Sequence, residues 1–166
     1  MRKIDQKGFT LVELLAVIAL SSIILAVGYS ILFSMMKSAE QSTLQTKLRN
    51  ESILITQQFD QAMLNIDLIE RTGTPNADGT FQSFQGIDQR INEEQPDQVE
   101  TLVVPFEITA DGKLLINHRQ MNADGYSLAK TMFKQVNGNL QVYYVIEELK
   151  THKQFTFFKL YNLQGE

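Results

Sequence analysis

Three spacings of apolar residues follow one another along this chain. From Leu14 to Met36 the sequence is apolar apart from a few serines, and no charge occurs between Glu13 and Lys37. Beyond Lys37, apolar residues recur at three, four or seven positions. After Glu100 they alternate with polar ones in short runs punctuated by Asn, Asp and Gly. The first run, at ~1.5 Å per helical residue, reaches about 34 Å against a hydrocarbon core of roughly 30 Å, so it is long enough to span a bilayer. Ser21, Ser22, Ser30 and Ser34 are compatible with that reading, because a helical serine can bond back to a carbonyl of the preceding turn. Gly28 is the one intrinsic weak point. Ala16, Ala19, Ala26 and Gly28 either let neighbouring helices approach or simply face lipid, and the pattern leaves both open.

The second pattern places Leu44, Leu48, Ile55, Phe59, Ala62, Ile66 and Ile69 on one stripe, with Gln41, Gln45, Arg49, Gln57 and Gln61 mostly off it. It predicts an amphipathic helix over residues 37–71 that continues the apolar one, stopped by Gly73 and Pro75. A coiled coil would also produce the stripe but leaves the later strands unexplained. Thr72 to Gln98 is polar and rich in turn residues, and reads as a long loop tethered by Phe81 and Phe84. Beyond Glu100 the alternation predicts antiparallel strands. Pro105 marks an edge or a bulge. Asp111-Gly112, the Asn122 to Gly125 stretch and above all Asn137-Gly138 mark turns. The class is α+β: a long N-terminal helix packed on a C-terminal antiparallel sheet of about four or five strands.

Charge and composition narrow the function. The chain has 166 residues, enough for one membrane anchor and one small domain. Its net charge of −4 argues against a general nucleic-acid binder. It has no cysteine, and therefore no disulfide, thiolate metal site or cysteine nucleophile. Ahead of the apolar run, Arg2, Lys3 and Lys7 outweigh Asp5, which predicts a cytoplasmic N-terminus with the remainder outside. Glu13 is the odd residue. A carboxylate at the edge of hydrocarbon costs on the order of 2–3 kcal/mol, so it calls for a partner.

The stretch Lys7-Gly8-Phe9-Thr10-Leu11-Val12-Glu13-Leu14-Leu15, with basic residues before the glycine, resembles the class III signal of type IV pilins and type II secretion pseudopilins. The resemblance implies the lollipop fold of pilins, divided here into a leader (1–8), a transmembrane and assembly helix (9–36), its amphipathic continuation (37–71) and a β-rich head (72–166). It also implies cleavage between Gly8 and Phe9 by a prepilin peptidase that N-methylates Phe9. Assembly would be guided by Glu13 pairing with the amine of a neighbouring Phe9. Expected partners are other pilin or pseudopilin subunits, the peptidase/N-methyltransferase, a membrane platform protein and the bilayer. The expected location is the cytoplasmic membrane, then an extracytoplasmic filament. The missing mid-helix proline and cysteines favour a minor subunit, and Gln57 to Ala62 is weakly similar to the J-type. A signal-anchored binding or adhesion module that does not polymerise is the alternative.

Other chemistry is thinly marked. His118 and His152 fall in or beside predicted polar connections. No nucleophile elbow, zinc-protease, Walker or Rossmann pattern occurs, so the reading is non-enzymatic, without cofactor. Asn76/Asp78 and Asn122/Asp124 offer oxygens to calcium, but Asx-rich turns ordinarily bond their own backbone, and no metal site is assigned. Lys153, Phe155, Phe157, Lys159 and Tyr161 mix charge with rings as single-stranded DNA sites do. Packing of a sheet on its core explains the same rings, which leaves direct DNA binding the lesser reading.

Overall fold

A computed structural model describes residues 10–91 and 99–163. The chain divides into two compact units, Met1–Leu44 and Gln45–Glu166. In the first, the described residues lie at the head of helix α1 (Leu11–Met63). The helix passes Gly28 unbroken, and Ser22 returns its hydroxyl to the Ala19 carbonyl at 2.8 Å.

Among the described residues the second unit holds the end of α1 and ten strands: β1 (Leu68–Arg71), β2 (Thr80–Phe81), β3 (Ser83–Ile91), β4 (Val99–Ile108), β5 (Leu114–Ile116), β6 (Arg119–Gln120), β7 (Tyr126–Ser127), β8 (Met132–Val136), β9 (Asn139–Glu148) and β10 (Gln154–Tyr161). The α+β class and the antiparallel pairing agree with the sequence reading. The strands form two five-stranded sheets rather than one. The first runs β1-β3-β4-β5-β6; the second runs β10-β9-β8-β2, with β7 also paired to β9. The chain passes from the second sheet to the first at Gln82, whose carbonyl accepts the Ile108 N–H at 2.8 Å and whose amide donates to the Ala129 carbonyl at 2.7 Å.

Two boundaries differ from expectation. The amphipathic helix ends at Met63, not near Arg71, and residues 68–71 are β1. Ile66 and Ile69 are buried as the stripe requires, but from extended chain: Ile69 pairs with Gly86 and Asp67 N–H donates to Ile87. A three-residue spacing fits a helix face, and it fits equally one residue before a strand and one within it. The predicted loop over 72–98 is also corrected, since β2 and β3 occupy much of it. Its inward positions read Phe84, Gly86, Asp88, which breaks the apolar alternation. Gly86 stands there because a Cβ would meet Ile66 Cδ1 at 2.8 Å and Phe106 Cε2 at 3.0 Å. Asp88 is buried with the Arg90 guanidinium 2.6 Å from its carboxylate. The turn at Gln95-Pro96-Asp97 lies outside the described residues.

The remaining turn signals hold. Asn137 and Gly138 both have positive φ, 50° and 76°, and close the β8–β9 hairpin in the mirror-image turn that suits the twist of strands. Asn117 and His118 do the same between β5 and β6, with φ 49° and 63°, closing a hairpin that none of the turn signals marked. Pro105 sits just past the last β4–β5 pair. Its carbonyl accepts from Asn117 on that side, so its missing N–H faces an edge that no strand needs.

The core gathers on one helical ring. Phe59 is fully buried and meets Phe84 and Phe106 from the first sheet and Phe133, Tyr144 and Tyr161 from the second, at centroid distances of 5.2 to 6.5 Å. Beside it, Asp60 takes the Lys159 ammonium at 2.5 and 2.6 Å and the Tyr161 hydroxyl at 2.8 Å. Glu51, about two turns earlier in α1, accepts the Ala123 N–H at 2.8 Å.

Candidate assembly segment

Thr10 begins α1. Its hydroxyl oxygen accepts the Glu13 N–H at 3.2 Å and its carbonyl accepts the Leu14 N–H at 3.1 Å, the arrangement of an N-cap. Thr10-Leu11-Val12-Glu13 has the spacing of a capping box, a signal present in the sequence but overshadowed by the apolar run behind it. The cap fixes where the helix starts. It also puts the Glu13 carboxylate in the first turn, where the exposed N–H groups favour a negative charge. Of the expected processing and assembly residues, Glu13 is described and exposed, whereas Gly8 and Phe9 lie outside the described residues.

From Leu14 to Met36 the apolar side chains of α1 are exposed. Ile24, Leu25 and Tyr29 are 70, 72 and 75% exposed, and none of the apolar segment is buried. Burying one such side chain is worth about 1.5–3 kcal/mol, so leaving the whole run in water costs on the order of tens of kcal/mol. The helix is long and apolar enough to cross a membrane. A removable secretory signal would pass the same test of length and composition, so the residues ahead of the run decide between them.

Residues 4–29 match the family model described as the prokaryotic N-terminal methylation motif. The chain carries a prepilin-type signal. The matched stretch contains Gly8, Phe9 and Glu13 and ends inside the apolar run, so the prepilin-type signal and the anchor are continuous in sequence. No curated protein and no solved structure matches the chain. The head is therefore described by its own geometry.

In that head, the rings proposed for DNA do structural work. Phe157 stacks on Tyr144 at 4.5 Å, Phe155 meets Phe157 at 5.8 Å and Tyr161 meets Phe59 at 5.2 Å. Lys159 is held by Asp60. Burial pushes the Tyr161 phenol well above its ordinary range, with the neighbouring Tyr144 adding to the effect. The Asx turns spend their oxygens locally. Asp78 accepts from the Thr80 hydroxyl at 2.7 Å and from its N–H at 3.1 Å. The buried Asn122 accepts the Leu114 N–H at 2.9 Å and donates to the Tyr126 carbonyl at 2.7 Å. His118 and His152 are both exposed, at positive-φ positions.

One carboxylate of the head is strongly perturbed. Glu147 accepts from Lys130 Nζ at 2.8 Å and Gln154 Nε2 at 2.7 Å, with His152 Nδ1 at 3.0 Å. Lys130 first, then His152 and Gln154, hold its carboxyl down to about 2 from an ordinary 4.5. A carboxyl depressed by folding adds stability that is whole above the unfolded value and is lost as pH falls through the folded one. Glu147→Gln should therefore melt below wild type at neutral pH, with the gap closing as pH falls from about 4.5 toward 2. Thermal melts of the two chains check this; a gap that stays constant would show that the three donors do not act through the charge.

Proposed function

We propose that the protein is a minor pilin or pseudopilin: a structural subunit, not an enzyme, of a type IV pilus-like filament. The observation that carries this is the prepilin-type signal over residues 4–29, running directly into an apolar helix that is exposed among the described residues. In this reading the positive leader stays in the cytoplasm, the helix enters the cytoplasmic membrane and the head stands outside. A prepilin peptidase cuts between Gly8 and Phe9 and methylates the new amine. Because the cut lies before the apolar run, removing the leader keeps the anchor. Mature subunits then leave the bilayer by packing their helices together, so that neighbouring chains replace lipid around Leu14 to Met36. A membrane platform protein of the assembly machine receives them.

The new α-amino group has a reference pKa near 8 and is mostly cationic at neutral pH. Paired with Glu13 of a neighbour, it neutralises two charges that would otherwise sit singly in an apolar filament core.

The test is the mass of the chain extracted from its native membrane. Wild type should start at N-methylated Phe9. Gly8→Val should keep Met1 and stay in the membrane, with filament incorporation lost. A wild-type chain starting at Met1, or cut beyond the apolar run, favours the anchored module that does not polymerise.

A further inference from the structure

β10 is the outer strand of its sheet. Among the described residues only β9 pairs with it, in an unbroken register from Gln154–Glu147 to Tyr161–Leu140. Its far edge has no proline, no bulge and no acidic side chain, and its one charge, Lys159, is already held by Asp60. It thus lacks the devices by which proteins blunt a free edge. Along that edge, between β10 and α1, runs a groove of about 350 Å³ lined by Ile53, Thr56, Gln57, Phe155, Phe157 and Lys159. A strand laid on β10 would satisfy the free backbone groups and drop alternate side chains into the groove, which is how β-strand addition combines affinity with specificity.

The same chain offers a strand of the right kind. β3 pairs with β4 along its whole length, but β5 covers the other side only from Phe106 to Ile108. Among the described residues, 99–104 are therefore a second free edge, on which Val99, Leu102 and Val103 are 59, 54 and 45% exposed. One antiparallel register matches both faces. On the groove side it sets Glu100 opposite Lys159, Leu102 opposite Phe157 and Val104 opposite Phe155. On the other side it sets Val99 opposite Leu160, Thr101 opposite Phe158 and Val103 opposite Thr156. A slip of one residue moves Glu100 against Phe158 or Leu160 and exchanges the two faces. A slip of two loses the opposed charges.

We propose that the free edge of β4 in one copy adds to β10 of the next copy in the Glu100–Lys159 register. Because the two edges are different surfaces, the contact is head-to-tail and propagates rather than closing a dimer. It is distinct from packing through the apolar helix. Its use in a filament rests on the subunit reading above, whereas the contact itself requires only the folded head.

The chain has no cysteine, so introduced pairs report the register directly. Both test positions, Val103 and Thr156, are exposed. Mild oxidation of the full chain carrying Val103→Cys and Thr156→Cys in membranes should give a ladder of dimers, trimers and longer products. The two single variants mixed in one membrane should stop at dimers. Val103→Cys with Phe158→Cys, out of register, should lose the ladder. No ladder from the first pair, an equal ladder from the shifted pair, dimers from Thr156→Cys alone, or its capture of a different protein would each overturn the contact. Adding Gly8→Val separates the two readings. A ladder from an uncleaved chain leaves the contact standing without the processing. Normal processing and incorporation with no ladder removes the sheet contact alone.

Discussion

Phe59→Ala should cost the head about 3–5 kcal/mol, the range for truncating a large buried aromatic. Small domains hold only about 5–15 kcal/mol in total, so the variant should lose most of its margin. The reason is the position of the ring. It meets aromatic rings of both sheets and has no exposed surface of its own. Phe84 and Phe106, already stacked at 4.5 Å, cannot follow the missing ring without giving up their own contact, so the space does not collapse cheaply. Loss of Phe59 also loosens the helical turn that presents Asp60 to Lys159 and Tyr161. Urea unfolding in detergent, followed by the fluorescence of the five tyrosines, reads the effect. Phe158→Ala is the control. Its ring is 52% exposed on the outer face of β10, and an effect within roughly 1 kcal/mol is expected there. Equal losses for the two variants would mean that Phe59 does not join the sheets.

The sequence was most legible where a single local rule governs. The apolar run can be nothing but a helix that needs an apolar surrounding, and Asn137-Gly138 has one favoured way to turn. Legibility failed where tertiary packing chooses between local options. Ile66 and Ile69 satisfy the helix stripe, yet the chain has already turned at Leu64 and Asn65, and the second isoleucine is in β1. In β3 the inward positions hold a glycine and an aspartate. The glycine makes room for Ile66, which lies outside the strand, and the aspartate is satisfied by Arg90 two residues along the same strand, a pairing that apolar alternation does not signal. One of the chain's passages between the two sheets falls at Gln82, a polar residue for which periodicity has no signature. Glu51 and Ser52, two buried polar positions on α1, were likewise hidden, because their partners lie far along the chain or one turn back. At the N-terminus the signal was legible as a motif, matched over residues 4–29, while the capping role of Thr10 was masked by the stronger hydrophobic signal.

Glu13→Ala should leave insertion into the membrane intact and cut filament incorporation by more than about tenfold. Insertion depends on the hydrophobicity of the apolar run, which the substitution does not weaken. On the proposed subunit reading, incorporation depends on what faces the amine of the neighbouring Phe9 once lipid and water have been stripped away. An unpaired cation at that depth costs on the order of 2–3 kcal/mol, and each 1.4 kcal/mol is roughly a factor of ten in an equilibrium. The geometry separates this effect from helix capping. Thr10 accepts from the backbone N–H of residue 13, a bond that alanine retains, so the start of α1 stays where it is. Glu13→Gln sharpens the test, since it keeps the length and hydrogen-bonding capacity of the side chain and removes only its charge. Both variants should be cleaved and methylated normally, and both should accumulate as membrane-bound mature subunits. Quantifying head antigen in sheared filaments against membrane fractions reads the outcome. If Gln restores wild-type incorporation, Glu13 works as a hydrogen-bonding residue. If Ala does so too, subunits recognise one another without the charge pair, and the packing of the apolar helix has to supply the register by itself.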